Sequence, residues 1–161
     1  MSRIRPIEAA DREQIRELIA GTGAFKPFEV DVAMELVDIA LTQAQQEDYH
    51  PFVLVEDDGT VAAYACFGKN PMTRATFDLY WIATRADRWG KGYGRDITAF
   101  VVEEIRKMGG KLLVIETSSQ ESYGTTRRFY EKIGASLAAT LPDYYDEGDD
   151  KLIYLLPIPR E

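Results

Sequence analysis

Three glycines alternate in Trp89-Gly90-Lys91-Gly92-Tyr93-Gly94-Arg95, which follows the strand-like run Phe77-Asp78-Leu79-Tyr80-Trp81-Ile82-Ala83 and opens a helical pattern. A residue without Cβ lets the backbone turn sharply and lie directly against a ligand. The first N–H groups of the following helix have no intrahelical acceptor, and the positive end of the helix dipole sits beside them. Together they make a site for phosphate. The spacing therefore predicts a strand feeding a phosphate-gripping loop and helix.

Other loops share these parts. A dinucleotide-binding turn is the nearest rival, because the apolar run Lys111 to Glu116 ends in an acidic residue about 20 positions on. Against it, the glycines read G-x-G-x-G rather than G-x-G-x-x-G, and five residues, Thr84 to Arg88, separate the strand from Trp89. A nucleoside-triphosphate loop needs Lys followed by Ser or Thr after its last glycine, and Gly94 is followed by Arg95 and Asp96. An ordinary glycine-rich turn with no ligand stays open beside the phosphate reading.

Composition bounds the rest. A chain of 161 residues suits one domain, residues 1–161, with a real core. The net charge of −8 argues against a nucleic-acid partner and leans toward cationic or neutral substrates, while serving solubility equally well. Cys66, the one cysteine, lies in an apolar run, so no disulfide forms within the chain and it reads as a small core residue in a reducing compartment. His50, the one histidine, has no histidine or cysteine neighbours to share a metal and reads as a surface residue in a turn; no metal site is expected. No apolar run approaches the roughly 20 residues of a membrane span, and no signal peptide is recognisable, so a soluble, cytoplasmic protein away from membranes is expected.

The positioning elements follow from periodicity. Ser2 to Ile7 reads as an edge strand, and Asp11 as the cap of a helix with Ile15, Leu18 and Ile19 on one face. A second helix is expected from Val30 to about Gln45, with Val32, Leu36, Ile39 and Ala40 as its stripe and Phe25 and Phe28 as staples. Phe52–Glu56 and Val61–Phe67 flank Asp57-Asp58-Gly59-Thr60, a hairpin signal. Thr76–Ala83 is the next strand; the helix after the glycines runs to about Met108 with Ile97, Phe100, Val101, Ile105 and Met108 inward. Lys111–Glu116 reads as a central strand completing a βαβ unit. Thr125 to Ile133 is a short helix closed by Gly134. Ala135–Leu141 and Lys151–Leu156 are strands joined by an acidic turn, Pro142–Asp150.

Two stretches carry a resemblance. Asp87 to Arg95 resembles the acyl-coenzyme A loop of the GNAT N-acetyltransferases, and Arg127-Arg128-Phe129-Tyr130-Glu131-Lys132-Ile133-Gly134 resembles that superfamily's later helix. The order of elements is also similar, over nearly the whole chain. The resemblance implies an α+β fold whose mixed, largely antiparallel central sheet of about six to seven strands is flanked by about four helices in three layers. It also implies transfer of an acetyl group from acetyl-coenzyme A to a primary amine, by direct attack in a ternary complex.

Residue by residue, the resemblance implies that Trp81, Ile82, Ala83 and Thr84 line the pantetheine arm and offer a backbone N–H to the thioester carbonyl. The amides of Trp89, Gly90, Lys91, Gly92, Tyr93, Gly94 and Arg95 bind the pyrophosphate, with charge from Lys91, Arg95, Arg88 and Arg127. Tyr130 matches the tyrosine that protonates the departing thiolate. The base varies across the family; Glu116 is the first candidate, with Asp78 and Tyr80 behind it. Departures are Trp89, where Gln or Arg is usual, Tyr123 in place of an asparagine, and Thr126 in place of an alanine; these touch side-chain contacts to the cofactor and the choice of acyl group. For the acceptor, a small molecule or a peptide amine, Phe25 and Phe28 at an entrance and Tyr144 and Tyr145 among acidic residues are candidates. The hairpin resembles that of some peptide N-terminal acetyltransferases, and family members often form homodimers. A catalytically weak acyl-coenzyme A sensor of the same fold is the alternative reading.

Overall fold

The computed structural model describes residues 1–160. In chain order the elements are β1 (Ser2–Pro6), α1 (Arg12–Gly21), α2 (Pro27–Thr42), β2 (His50–Glu56), β3 (Val61–Lys69), β4 (Thr76–Thr84), α3 (Tyr93–Lys107), β5 (Leu112–Ser118), α4 (Gly124–Lys132), β6 (Ser136–Asp146) and β7 (Asp149–Pro157). Short 3-10 turns lie at Ala9–Asp11, Ala86–Arg88 and Glu121–Tyr123. The seven strands form one mixed sheet in the order β1-β2-β3-β4-β5-β7-β6. The mixed sheet and four helices are those the resemblance implied. Residue contacts divide the chain into two compact units: Met1–Gly68 with Tyr80–Glu103, and Lys69–Leu79 with residues from Glu104 onward.

In the first unit, β1 pairs antiparallel with β2, and β2 with β3. The hairpin turn closes with Glu56 N–H on the Thr60 carbonyl and Gly59 N–H on the Glu56 carbonyl, both at 2.9 Å. Every residue from Val61 to Gly68 is buried, so β3 is covered on both faces. His50 is not on a surface turn: it opens β2, half-buried, and stacks on Phe67 with ring centres 5.2 Å apart. Burial pushes the Cys66 thiol up to about 12, which keeps it a protonated core residue.

Helix α1 buries Ile15, Leu18 and Ile19, spaced by three and four. Asp11 sits at its N-cap but makes no capping bond to it. Its carboxylate instead accepts Glu8 N–H at 2.7 Å and two bonds from the Arg5 guanidinium, at 2.7 and 3.0 Å, because the intervening 3-10 turn rotates it toward β1. Helix α2 starts earlier than its periodicity indicated. Pro27 occupies the first turn, and Lys26 N–H bonds the Glu29 carboxylate at 3.0 Å. Its buried face is Val30, Ala33, Met34 and Val37, with Val32 exposed. Apolar residues cover more than half of the helix circumference, with Asp31, Glu35 and Asp38 on the remaining side, so spacing alone did not single out the buried face.

In the second unit, β4 and β5 are parallel, joined through α3, which is the expected βαβ connection. Helix α3 runs through both units: its buried apolar positions Ile97 and Val101 fall in the first and Ile105 in the second, each four apart, while Met108 falls past the helix end and is exposed. β7 pairs antiparallel with β5 and with β6. The acidic stretch from Pro142 to Asp150 is mostly strand rather than turn: β6 runs through Asp146 and only Glu147 and Gly148 lie between the strands. Edge position explains this. β6 ends the sheet, where a proline without N–H and solvated carboxylates are tolerated. The ladder is interrupted between Leu141 and Asp146, where Asp143 takes a φ of 54° and its carboxylate accepts Gly148 N–H at 2.8 Å.

Candidate active site

The parallel ladder of β4 and β5 starts at Thr76↔Leu112 and stops at Leu79↔Ile115. β4 then runs on for five residues, Tyr80–Thr84, and β5 for three, Glu116–Ser118. The continuation of β4 belongs to the first unit. There Tyr80 meets Tyr49 edge-on at 5.4 Å and Trp81 meets Phe25 edge-on at 5.1 Å. Ala83 is buried, and Ile82 and Thr84 are half-buried. Phe25 thus packs where a staple would, whereas Phe28, 63% exposed in the first turn of α2, does not.

After β4, Arg85 N–H bonds the Ala62 carbonyl at 2.9 Å and its guanidinium forks onto Asp87, with both bonds at 3.0 Å. Trp89 is exposed and donates its ring N–H to the Thr84 carbonyl at 3.0 Å. Gly90 and Gly92 have φ of 86° and 83°, in the left-handed region that L side chains avoid. A Cβ at Gly90 would meet nothing within 4 Å, so the space beside that residue is open. Helix α3 begins at Tyr93, with Asp96 N–H on the Gly92 carbonyl at 3.0 Å; amides ahead of such a bond have no intrahelical acceptor. Lys91 and Arg95 are exposed on the same turn. This leaves a cradle of backbone amides at the positive end of a helix, the kind of place where an anion can bind.

Glu56, to which no sequence signal pointed, joins both ends of that cradle. Its Oε1 accepts Arg88 Nε–H at 2.8 Å, and its Oε2 accepts the Tyr93 hydroxyl at 2.7 Å. The Tyr93 hydroxyl first, and then Arg88, hold its carboxyl below the usual glutamate range. Arg88, expected to add charge for the pyrophosphate, is therefore engaged by a carboxylate.

In the second unit, Asp78 and Glu116 share a face of the β4–β5 ladder, because Asp78 pairs with Val114 and Glu116 is two residues farther along. Burial, with the charge of Glu116 adding to it, pushes the Asp78 carboxyl up, and Asn70 Nδ2 donates to Asp78 at 3.3 Å. Lys151 Nζ stands 2.8 Å from Glu116 Oε2. Tyr130, on α4, is the helix's buried residue and packs against Phe129 and Tyr154; burial pushes its phenol well above the usual tyrosine range. Tyr123 is the N-cap of α4, and Thr126 and Arg127 follow on its first turns. Arg127 Nη1 donates to the Ser118 and Gln120 carbonyls at 2.8 and 2.7 Å, which braces the link from β5 to α4. Ser118 in turn donates to the buried Asp149 carboxylate. Tyr144 and Tyr145 form an exposed edge-on pair at 5.1 Å on β6. Among the described residues, no group of three or more His, Cys, Asp or Glu is placed to hold a metal, and no helix is long and apolar enough to cross a membrane.

A family model for the acetyltransferase (GNAT) family matches residues 15–135. A GNAT-family protein of Desulfovibrio desulfuricans is 44% identical, with 99% of this chain and 100% of that chain covered and a TM-score of 0.92. The ribosomal-protein-S18-alanine N-acetyltransferase of Escherichia coli is 24% identical over 100% of this chain and 96% of its own, with a TM-score of 0.78. The protein yncA of Salmonella typhimurium, whose structure holds its cofactor acetyl-CoA, is 21% identical over the same shares, with a TM-score of 0.76. At such identities the last two share a fold with this chain and nothing more. A search of curated proteins gave no match.

Proposed function

Because the chain belongs to the GNAT acetyltransferase family, we propose that it transfers an acetyl group from acetyl-coenzyme A directly to a primary amine, of a small molecule or a peptide, in a ternary complex. The observation that carries this reading is the open loop of Gly90 and Gly92 at the head of α3, following a strand whose ladder with β5 stops at Leu79. The loop amides and helix tip match a diphosphate in charge and shape, and Lys91 and Arg95 add positive charge. Beyond Leu79, the backbone of Trp81 to Thr84 supplies donors and acceptors of the kind an amide-bearing pantetheine arm needs. Acetyl-coenzyme A, when bound, supplies the activated thioester carbonyl.

The remaining steps belong to this chain's residues. A backbone N–H of the Trp81–Thr84 segment stabilises the oxyanion as the amine nitrogen bonds to the carbonyl carbon. Asp78, through a water, takes the proton from the amine. Glu116 is less available for this step because one of its oxygens is held by Lys151, whereas burial raises the Asp78 carboxyl toward the pH at which a general base works best. The exposed rings of Tyr144 and Tyr145 offer aromatic surface to a cationic acceptor. As the carbon–sulfur bond breaks, Tyr130 gives its phenolic proton to the thiolate. Burial keeps that proton in place at neutral pH. On this reading the protein works in the cytoplasm, where its single thiol stays reduced.

The test is release of free thiol from acetyl-coenzyme A across a panel of small amines and peptides, with wild type and Tyr130→Phe. Amine-dependent thiol release that the variant loses, with coenzyme A still bound, supports the transferase. A background rate that no amine raises and Tyr130→Phe leaves unchanged points to an acyl-coenzyme A sensor instead.

A further inference from the structure

The four residues Trp89-Gly90-Lys91-Gly92 are bounded by Arg88 and Tyr93, and both bounding side chains end on the carboxylate of Glu56, one on each oxygen. Glu56 is itself fixed. It closes β2, both its backbone groups are bonded in the hairpin turn, and its side chain is only 15% exposed. We propose that Glu56 is a positioning residue that staples the two ends of the glycine loop and so holds the cradle in its diphosphate-receiving shape. This rests on the acetyl-coenzyme A reading above and adds to it a residue 32 positions upstream of Arg88.

Two physical effects of this carboxylate oppose each other, which makes the proposal decidable. By charge alone, a negative group beside a diphosphate site is unfavourable, and removing it should tighten binding. By geometry, a loop containing two glycines in the left-handed region has many alternatives open to it, and binding must order whatever the free protein leaves loose. Glu56 removes that freedom with two charge-assisted bonds across a short span. Arg88 meanwhile neutralises its charge. The arrangement therefore keeps the order and cancels most of the repulsion.

Glu56→Gln separates the two. Its oxygen can stay on Arg88 and its amide N–H can meet the Tyr93 hydroxyl only as a neutral donor, so the charge-assisted bond at the Tyr93 end is lost together with the negative charge. Calorimetry with coenzyme A should show binding weaker by about tenfold, the loss expected when one hydrogen bond to a charged group is removed. In kinetics the loss should fall on KM for acetyl-coenzyme A rather than on kcat. It should also be about fivefold or more larger for acetyl-coenzyme A than for S-acetylpantetheine, which lacks the diphosphate. Tyr93→Phe, which changes no charge and removes one hydroxyl, should move the same readouts in the same direction, and it decides the matter if Glu56→Gln fails to fold. Equal or tighter coenzyme A binding by the variants overturns the proposal, as does a loss of the same size on both thioesters. If wild-type protein itself does not bind coenzyme A, the reading underneath falls with it; if wild type binds and the variants bind equally well, only the staple is lost.

Discussion

Lys151 Nζ lies 2.8 Å from Glu116 Oε2 and 4.2 Å from the centre of the Tyr144 ring. The strand register brings this about: Lys151 pairs with Ser118 across the β5–β7 ladder, two residues beyond Glu116 on the same face, and its long side chain leans back along the strand. Although burial opposes its charge, its hydrogen bond with Glu116 raises the lysine above its usual value. The pair engages Glu116 in an ion pair, which is why the proposed mechanism gives the proton transfer to the neighbouring Asp78.

Asp78→Asn should therefore lower kcat/KM for the amine by about a hundredfold or more, the size of a general-base contribution, and Glu116→Gln should lower it less. A base must be deprotonated to act, and burial raises the Asp78 carboxyl. In wild type the acid limb of the rate profile should thus lie above the ordinary aspartate value of 3.8, and Asp78→Asn should lose that limb. Steady-state rates from pH 4 to pH 9 check this.

Tyr130→Phe should reduce kcat by about a hundredfold while coenzyme A affinity stays within about twofold. Since burial raises the phenol above the ordinary tyrosine value of 10.0, wild-type activity should not show an alkaline limb from this group below that pH. Thiol-release rates at saturating acetyl-coenzyme A, with calorimetric affinities beside them, provide the comparison.

Gly92→Ala puts a Cβ on a residue with φ of 83° and 3.1 Å from Arg95 Nη2. Arg95 is exposed and can swing away, so the backbone strain dominates, at about 1–2 kcal/mol. The strain falls in the loop itself. Coenzyme A affinity should drop by about tenfold while the melting temperature falls by only a few degrees, measured by calorimetry and thermal unfolding.

Asp11 gives a pH signature away from the site. Burial alone would raise its carboxyl; the Arg5 hydrogen bond, the Glu8 amide and the Arg5 charge outweigh that and hold it below 3.8. A depressed folded-state value means that stability is present above the unfolded value and is lost as pH falls through the folded one. Asp11→Asn should cost about 1.5–3 kcal/mol at pH 7, and the gap from wild type should begin to narrow below about pH 4, closing only as pH falls through the depressed folded-state value. Urea unfolding at pH 7 and pH 3 measures the narrowing.

What the sequence made legible was what is decided locally. Gly90 and Gly92 adopt the backbone that only a missing Cβ permits, and the α1 stripe of Ile15, Leu18 and Ile19 lies on one face because polar residues fill the other. The buried face of α2 was not legible, since Val32 and Leu36 are as apolar as Val30 and Val37 and only the packing distinguishes them. Pro142 and Asp143 carry turn signals, and they fall where the β6–β7 ladder breaks after Leu141; pairing resumes at Asp146, so the strand continues past them. In the candidate site, the hold of Lys151 on Glu116 and of Glu56 on Arg88 and Tyr93 join residues 32 to 37 positions apart, a separation over which no spacing rule operates.

The most direct test of the account is calorimetric titration of the wild-type chain with coenzyme A and, separately, with a nicotinamide dinucleotide. The account predicts one coenzyme A per chain, bound more weakly as salt is raised, and no heat from the dinucleotide. A chain that ignores coenzyme A, or takes the dinucleotide in its place, contradicts it.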